Sequence, residues 1–310
     1  MHCRKCGQKA AIHLHQHRLA LCKDHFLEWL PNKTEHTIKK YHLLTRDEHV
    51  LVAVSGGKDS LSLWDILWRL GYSVDGVYID LGIDAGIGYS QKSRLLAEQF
   101  ASDRKLKLKV VDVKATYVEN IPEMTGRTQR GQSKPCSVCG LVKRYIMNKS
   151  ALDGGYALLA TAHNLDDEAA ILLMNTLNWS LDLIGRQLPL LPERPGFARK
   201  IKPFCRTFER EAAAYAILSG IHYIYEECPY SVGSTQLYYK QILNQLEDKQ
   251  TTVKLDFYLG YLRACKNGAF TWKTADEESM SNRRCINCGQ PTSSKRDLCS
   301  FCKLVSVNKS

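Results

Sequence analysis

The sequence has no apolar run near the ~18 residues that a membrane-spanning helix requires, so no membrane partner is expected. Its start, Met1-His2-Cys3, lacks the apolar core of a secretory leader, and a cytoplasmic location is the expectation. Acidic residues are in deficit: 32 Asp and Glu face 43 Lys and Arg, and the net charge of +11 suits a polyanion, most simply RNA or DNA. The composition of a disordered chain is also missing. Apolar residues make up 44% of the 310, enough for a full α/β domain with small appendages. Cysteine is plentiful, with twelve. Disulfide scaffolds suit small exported domains; in a chain this long without a leader, paired cysteines more often hold metals.

The stretch from Val50 to Trp64 organises the rest. Val50-Leu51-Val52-Ala53-Val54 reads as a buried parallel strand. Ser55-Gly56-Gly57 then makes a tight turn, and Asp59 or Ser60 is placed to cap a helix with apolar positions Leu61, Leu63, Trp64 and Leu67. A strand, a glycine turn and a helix start aim free N–H groups and the helix dipole at one spot, which makes an anion site. Lys58 adds a mobile positive charge. Val54 with Ser55, Gly56, Gly57, Lys58, Asp59 and Ser60 therefore reads as a nucleotide pyrophosphate cradle. It is not a Walker A loop, because G-x-x-x-x-G-K-[ST] does not fit.

Strands expected at 50–54, 74–79, 106–113 and 156–160 alternate with helices at 60–70, 90–104, 140–150 and beyond residue 164. That alternation predicts right-handed crossovers and an α/β doubly wound parallel sheet. Asp80 closes the second strand and faces the ligand crevice, where base and ribose would sit. Residues 114–134 read as a mobile loop over the site, and 221–225 as a further strand. Asp166, Asp167 and Glu168 open a helix beside the pyrophosphate, where Mg²⁺ or a proton acceptor is needed.

Metal-ligand spacing marks both ends. Cys3, Cys6, Cys22 and His25 can clamp a Zn²⁺ ion across a short hairpin, and Cys285, Cys288, Cys299 and Cys302 have the spacing of a zinc ribbon, giving two Zn²⁺ sites. The expected units are a zinc finger (1–28), a linker helix (29–47, helical from about 32 to 44), the nucleotide domain (48–232), a helical extension and linker (233–275) and the zinc ribbon (276–310). Cys136, Cys139 and Cys228 are left over, each expected near a strand end. Three thiolates suit a persulfide relay, an iron–sulfur cluster with one open iron, or a third zinc site. Cys205 and Cys265 read as packed thiols.

Ser55-Gly56-Gly57-Lys58-Asp59-Ser60 resembles the PP-loop of the ATP pyrophosphatase superfamily. With Cys136-x-x-Cys139, His163-Asn164-Leu165-Asp166-Asp167, Cys228 and the terminal fingers, nearly the whole chain resembles the tRNA thiolation branch of that superfamily. The resemblance implies an adenine nucleotide alpha hydrolase-like fold and a 4Fe-4S cluster on Cys136, Cys139 and Cys228. It implies ATP on the loop, adenylation of a uracil C2 oxygen in the tRNA T loop, and replacement of that oxygen by sulfur from a thiocarboxylated ubiquitin-like carrier protein. Anticodon-loop targets, the wobble uridine or a cytidine, and a cluster-free persulfide relay are the alternatives. Lys143 and Asp167 fall where relatives place catalytic side chains, and relatives are commonly homodimers. Two departures stand out. Ala162 replaces a frequent glycine near ATP, and the loop 81–89 is longer than in relatives. A zinc-finger RNA-binding protein on a purely structural nucleotide fold is the rival from another class; it requires neither Lys58 nor the three thiols.

Overall fold

The computed structural model describes residues 1–270, 283–292, 294 and 297–306; part of the expected linker and ribbon unit lies outside these residues. The N-terminal unit is an antiparallel hairpin, β1 (Ile12–Leu14) with β2 (Leu19–Leu21), followed by α1 (Lys23–Lys40). This helix begins directly after Cys22, not at residue 32, and runs through Pro31. Phe26, Leu30, Pro31 and Ile38 are all buried along it, and that tertiary packing overrides the local cost of an interior proline. Finger and linker helix are therefore continuous across residue 28. Glu211 locks the unit to the core: its carboxylate is fully buried, 2.7 Å from His17 Nε2 and 2.5 Å from Lys33 Nζ. Burial alone would raise the Glu211 pKa, yet Lys33 and His17 hold it below the usual carboxylate range.

The central unit runs β3 (His49–Val54), α2 (Lys58–Arg69), β4 (Ser73–Asp80), α3 (Tyr89–Arg104) and β5 (Leu108–Asp112). Then come α4 (Val113–Tyr117), α5 (Ile121–Gly126), α6 (Gln129–Ser133), α7 (Pro135–Asp153), β6 (Leu158–Ala160) and α8 (Leu165–Leu177). Next are α9 (Leu181–Ile184), β7 (Leu190–Leu191), β8 (Arg199–Ile201) and α10 (Glu209–Leu218). The described remainder holds α11 (Thr235–Lys249), α12 (Val253–Lys266) and α13 (Ser300–Ser306).

Six strands lie in the order β5-β4-β3-β6-β8-β7, parallel except for the antiparallel edge strand β7. From β3 the chain steps outward through β4 to β5, then returns to β6 on the other side of β3. The switch point thus lies at the carboxyl ends of β3 and β6, where a doubly wound sheet opens its ligand crevice. Trp64 on α2 is fully buried against β4, and a Cβ on Gly76 would come within 2.6 Å of its ring, so a glycine in mid-strand makes room for the indole.

Three expectations are corrected. Residues 114–134 form α4, α5 and α6 rather than a loop. Asn120 and Glu123 make a reciprocal capping box, with bonds of 2.9 and 2.8 Å, that starts α5. Residues 221–225 are not a strand; the Ile224 N–H instead donates to the Gly56 carbonyl at 3.0 Å. Cys136 and Cys139 lie on the first turns of α7 rather than at a strand end, because Pro135 starts the helix five residues early. Glu211→Ala would leave Lys33 buried without its carboxylate and is expected to lower the unfolding free energy by about 3–5 kcal/mol in chemical denaturation.

Candidate active site

Backbone geometry builds the phosphate loop. Gly56 has φ +75°, and a Cβ there would lie 2.3 Å from the Ser93 carbonyl oxygen of α3, so only glycine fits. The cap of α2 is Gly57, not Asp59 or Ser60. Ser60 closes the loop from within: its hydroxyl accepts the Ser55 N–H at 3.1 Å and donates to the Gly57 carbonyl at 3.0 Å. Ser55 Oγ lies 3.1 Å from Ser60 Oγ and accepts the Gly57 N–H at 3.4 Å.

A chain of alternating charge runs across this loop. Lys58 Nζ donates to Asp59 at 3.0 Å and to Glu209 of α10 at 2.7 Å. The other oxygen of Glu209 accepts from Lys240 of α11 at 3.0 Å, and Lys240 reaches Asp167 of α8 at 2.7 Å. Asn164, which caps α8 in a second capping box with Asp167, donates to Asp59 at 3.2 Å. Burial pushes Asp59 upward, with Lys58 opposing and Glu209 and Asp167 adding to the rise. Burial opposes ionisation of Glu209 too, but Lys240 and Lys58 hold its carboxyl down to about 2. Neighbouring Asp166 takes a separate structural role, accepting from the Glu209 N–H at 2.7 Å and from the buried Lys254 at 2.5 Å. Sequence reasoning found Lys58, Asp59 and Asp167 but missed Glu209 and Lys240, whose partners are distant in sequence.

At the carboxyl end of the neighbouring strand, Asp80 ends β4, accepts the Gly82 N–H at 3.1 Å and lies 3.6 Å from Arg94. It thereby shapes the long loop after β4. Val54 ends β3, and Ala162 follows β6, half-buried between Thr161 and His163. Burial lowers the His163 pKa well below its ordinary range, and Lys200, Lys202, Lys143 and Lys240 push the same way, so this imidazole is neutral near pH 7. Burial, with Lys202, also brings Lys200 on β8 down to about 8. Lys200 and Lys202 are further cations that sequence reasoning did not single out.

The three leftover thiols converge on one wall. Cys139 is buried, Cys136 is exposed and donates to the Tyr230 carbonyl at 2.9 Å, and Cys228 lies just before Pro229. Burial raises the pKa of both Cys136 and Cys139; Lys143 of α7 works against that rise, and Cys228 adds to it. Among the described residues, the groups of three or more ligand atoms all within 4.8 Å of one another are the two terminal quartets. In those, Cys6 and Cys22 sulfurs are 3.7 Å apart, as are those of Cys288 and Cys299. A tetrahedron with metal–sulfur bonds of ~2.3 Å has edges of ~3.7 Å, so both quartets fit one ion of the zinc type. Cluster ligands bind separate irons and stand farther apart than the ligands of a single ion. Three thiols beside a cationic Lys143 are the soft donor set that such a cluster takes.

A family model described as PP-loop domain matches residues 30–227, and one described as the N-terminal LIM domain of 2-thiouridine synthetase TtuA matches residues 2–27. The chain is 44% identical over 304 residues to the tRNA-5-methyluridine(54) 2-sulfurtransferase of Thermus thermophilus, covering 98% of this chain and 91% of the relative. It is 42% identical over 309 residues to the enzyme of the same name from Pyrococcus horikoshii, covering 100% of this chain and 95% of the relative. Among solved structures, U34-tRNA thiolase NcsA from Methanococcus maripaludis with its 4Fe-4S cluster superposes with a TM-score of 0.78 at 25% identity, covering 99% of this chain and 96% of that one.

Glu209 gives a pH test. Its carboxyl sits at about 2 against an ordinary 4.5, so its contribution to stability is complete above pH 4.5 and disappears as pH falls through 2. Glu209→Gln is therefore expected to lower Tm at neutral pH, with a penalty that shrinks steadily below 4.5 in a pH series of thermal melts.

Proposed function

The chain belongs to the PP-loop family of tRNA 2-sulfurtransferases, enzymes that act on tRNA, and on that premise we propose that it thiolates C2 of uridine 54 in the T loop. One observation carries the choice of position. Identity of 44% over 98% of this chain links it to an enzyme named for position 54, against 25% identity to the thiolase named for U34.

In this reading Lys58 and the N–H groups around Gly56, Gly57 and Asp59 hold the β and γ phosphates of ATP. An incoming pyrophosphate draws Lys58 away from Asp59 and Glu209. Asp59 and Asp167 are then the carboxylates placed to hold Mg²⁺. Val54, Asp80 and Ala162 border the adenosine. The uracil C2 oxygen attacks the α phosphorus, and the bond to the β phosphate oxygen breaks and releases pyrophosphate. The poor carbonyl leaving group has become a phosphate ester. Sulfur then bonds to C2, and AMP departs with the oxygen.

Cys136, Cys139 and Cys228 would hold the 4Fe-4S cluster, which when bound would supply an iron site open to sulfur. Lys143, beside Cys139, lies where it can stabilise negative charge on the incoming sulfur or on the C2 adduct. The sulfur source is a thiocarboxylated ubiquitin-like carrier protein: water cleaves its acyl C–S bond, leaving the carrier as a carboxylate and releasing sulfur at the sulfide level, so no oxidant is required. Zn²⁺ fills both terminal quartets, the excess positive charge faces tRNA phosphates, the working unit is a homodimer, and the enzyme acts in the cytoplasm.

Nucleoside mass spectrometry of tRNA from a deletion strain tests the reading. Loss of 2-thiolation from the T loop is expected; unchanged thiolation there, or a loss confined to the anticodon loop, overturns the assigned position. In complementation, Lys58→Ala and Cys228→Ser should each reduce T-loop thiolation by roughly a hundredfold or more. Anaerobic iron and sulfide analysis checks the cluster: an active protein that contains zinc but no iron overturns that part.

A further inference from the structure

Helix α7 is held in two different ways along its length. Its C-terminal half packs on the sheet, with Met147 and Ala151 against Leu51, Val77 and Leu159. Its N-terminal half, which carries Cys136, Cys139 and Lys143, has no side-chain cap at Lys134. That half packs instead into a separate apolar cluster in which Val138, Cys139, Val142 and Ile146 meet Phe301 and Leu304 of α13. The ribbon cysteines Cys285 and Cys302 are buried in the same cluster, and Cys228 packs against it.

The contact has defined geometry. The rings of Tyr145 on α7 and Phe301 on α13 stack at 3.7 Å with 8° between their planes. Tyr117 of α4 meets the Phe301 ring edge-on at 4.9 Å. Arg127 ties the far side of α13 down by donating to the Leu304 carbonyl at 2.7 Å. Tyr145 lies six residues beyond Cys139, or ~9 Å along the helix axis.

We propose that the C-terminal ribbon is a clamp on α7, and that Tyr145 and Phe301 are positioning residues that hold Cys136 and Cys139 in register with Cys228. The proposal rests on the cluster reading given above and deepens it: the ribbon's contribution to the reaction is support of the three-thiol wall from behind. A ribbon serving only to grip RNA has no need of a stacked, buried joint to the helix that carries the thiols. Alternate placements of that helix end would separate the thiols by ångströms, enough to spoil a ligand set that must meet three irons at once.

The test uses the full chain, purified without oxygen, as wild type, Phe301→Ala, Tyr145→Ala and the stack-preserving Phe301→Tyr. Four quantities are read: zinc per chain, ATP binding by calorimetry, amide hydrogen exchange across residues 135–146, and the rate at which iron is lost to a chelator. With zinc and ATP binding at wild-type levels, both alanine variants should exchange over 135–146 roughly tenfold faster and release iron several-fold faster. Phe301→Tyr should restore both. Tyr145→Ala changes no ribbon residue, so it carries the test if Phe301→Ala loses zinc. Unchanged exchange in Tyr145→Ala overturns the clamp, as does iron held at the wild-type rate in a loosened helix. A wild type that binds no iron, together with faster exchange in both alanine variants, overturns the cluster reading and leaves the clamp standing.

Discussion

Glu209 is shared by two lysines, and the candidate site is assembled around that sharing. One carboxylate oxygen accepts from Lys58 of the phosphate loop and the other from Lys240 of the helical extension. Because Lys240 also reaches Asp167, four helices, α2, α8, α10 and α11, meet at one chain of alternating charge. Low local dielectric makes each link strong and makes any single unpaired member costly. The loop cannot be treated as a free-standing motif. Its lysine is oriented from below by a residue about 150 positions away, and the helical extension belongs to the site.

Local chemistry was legible in the sequence and long-range pairing was not. Ser55 to Ser60 could be read because the strand, the glycines and the helix start that make the anion site are consecutive. Both cysteine quartets were legible for the same reason. Glu209 looked like an ordinary acid in the first turn of a helix, and Lys240 like one charge among many on a mixed face. Nothing near either residue points to the other. The parallel, doubly wound character of the sheet followed from alternation, but the short strands β7 and β8 were missed, being two and three residues long. Ile221 to Tyr225 has the residue types of a strand, yet its backbone serves the phosphate loop. The Asn120 and Glu123 pair was a visible signal for α5, overlooked because glycines and charges around it suggested a loop.

Ten of the twelve cysteines divide by geometry into two kinds. The other two, Cys205 and Cys265, belong to neither. Those of the terminal quartets lie at the spacing of tetrahedral edges, where a single ion satisfies all four. Cys136, Cys139 and Cys228 share a wall without collapsing to that spacing, beside Lys143 and under a field of further lysines. Burial, reinforced by these lysines, keeps His163 neutral, and burial with Lys202 draws Lys200 down to about 8. A crevice so lined favours anionic ligands.

The continuity of α1 with the N-terminal finger has a mechanical consequence. Eighteen residues of helix make a rod of ~27 Å, rooted at its middle in the core by Lys33 and Glu211 and bearing His25 in its first turn. A finger on such a rod has no hinge to swing on. The metal-ligand quartet at the start of the rod therefore keeps a fixed distance from the phosphate loop, and the N-terminal unit and the crevice present one rigid surface.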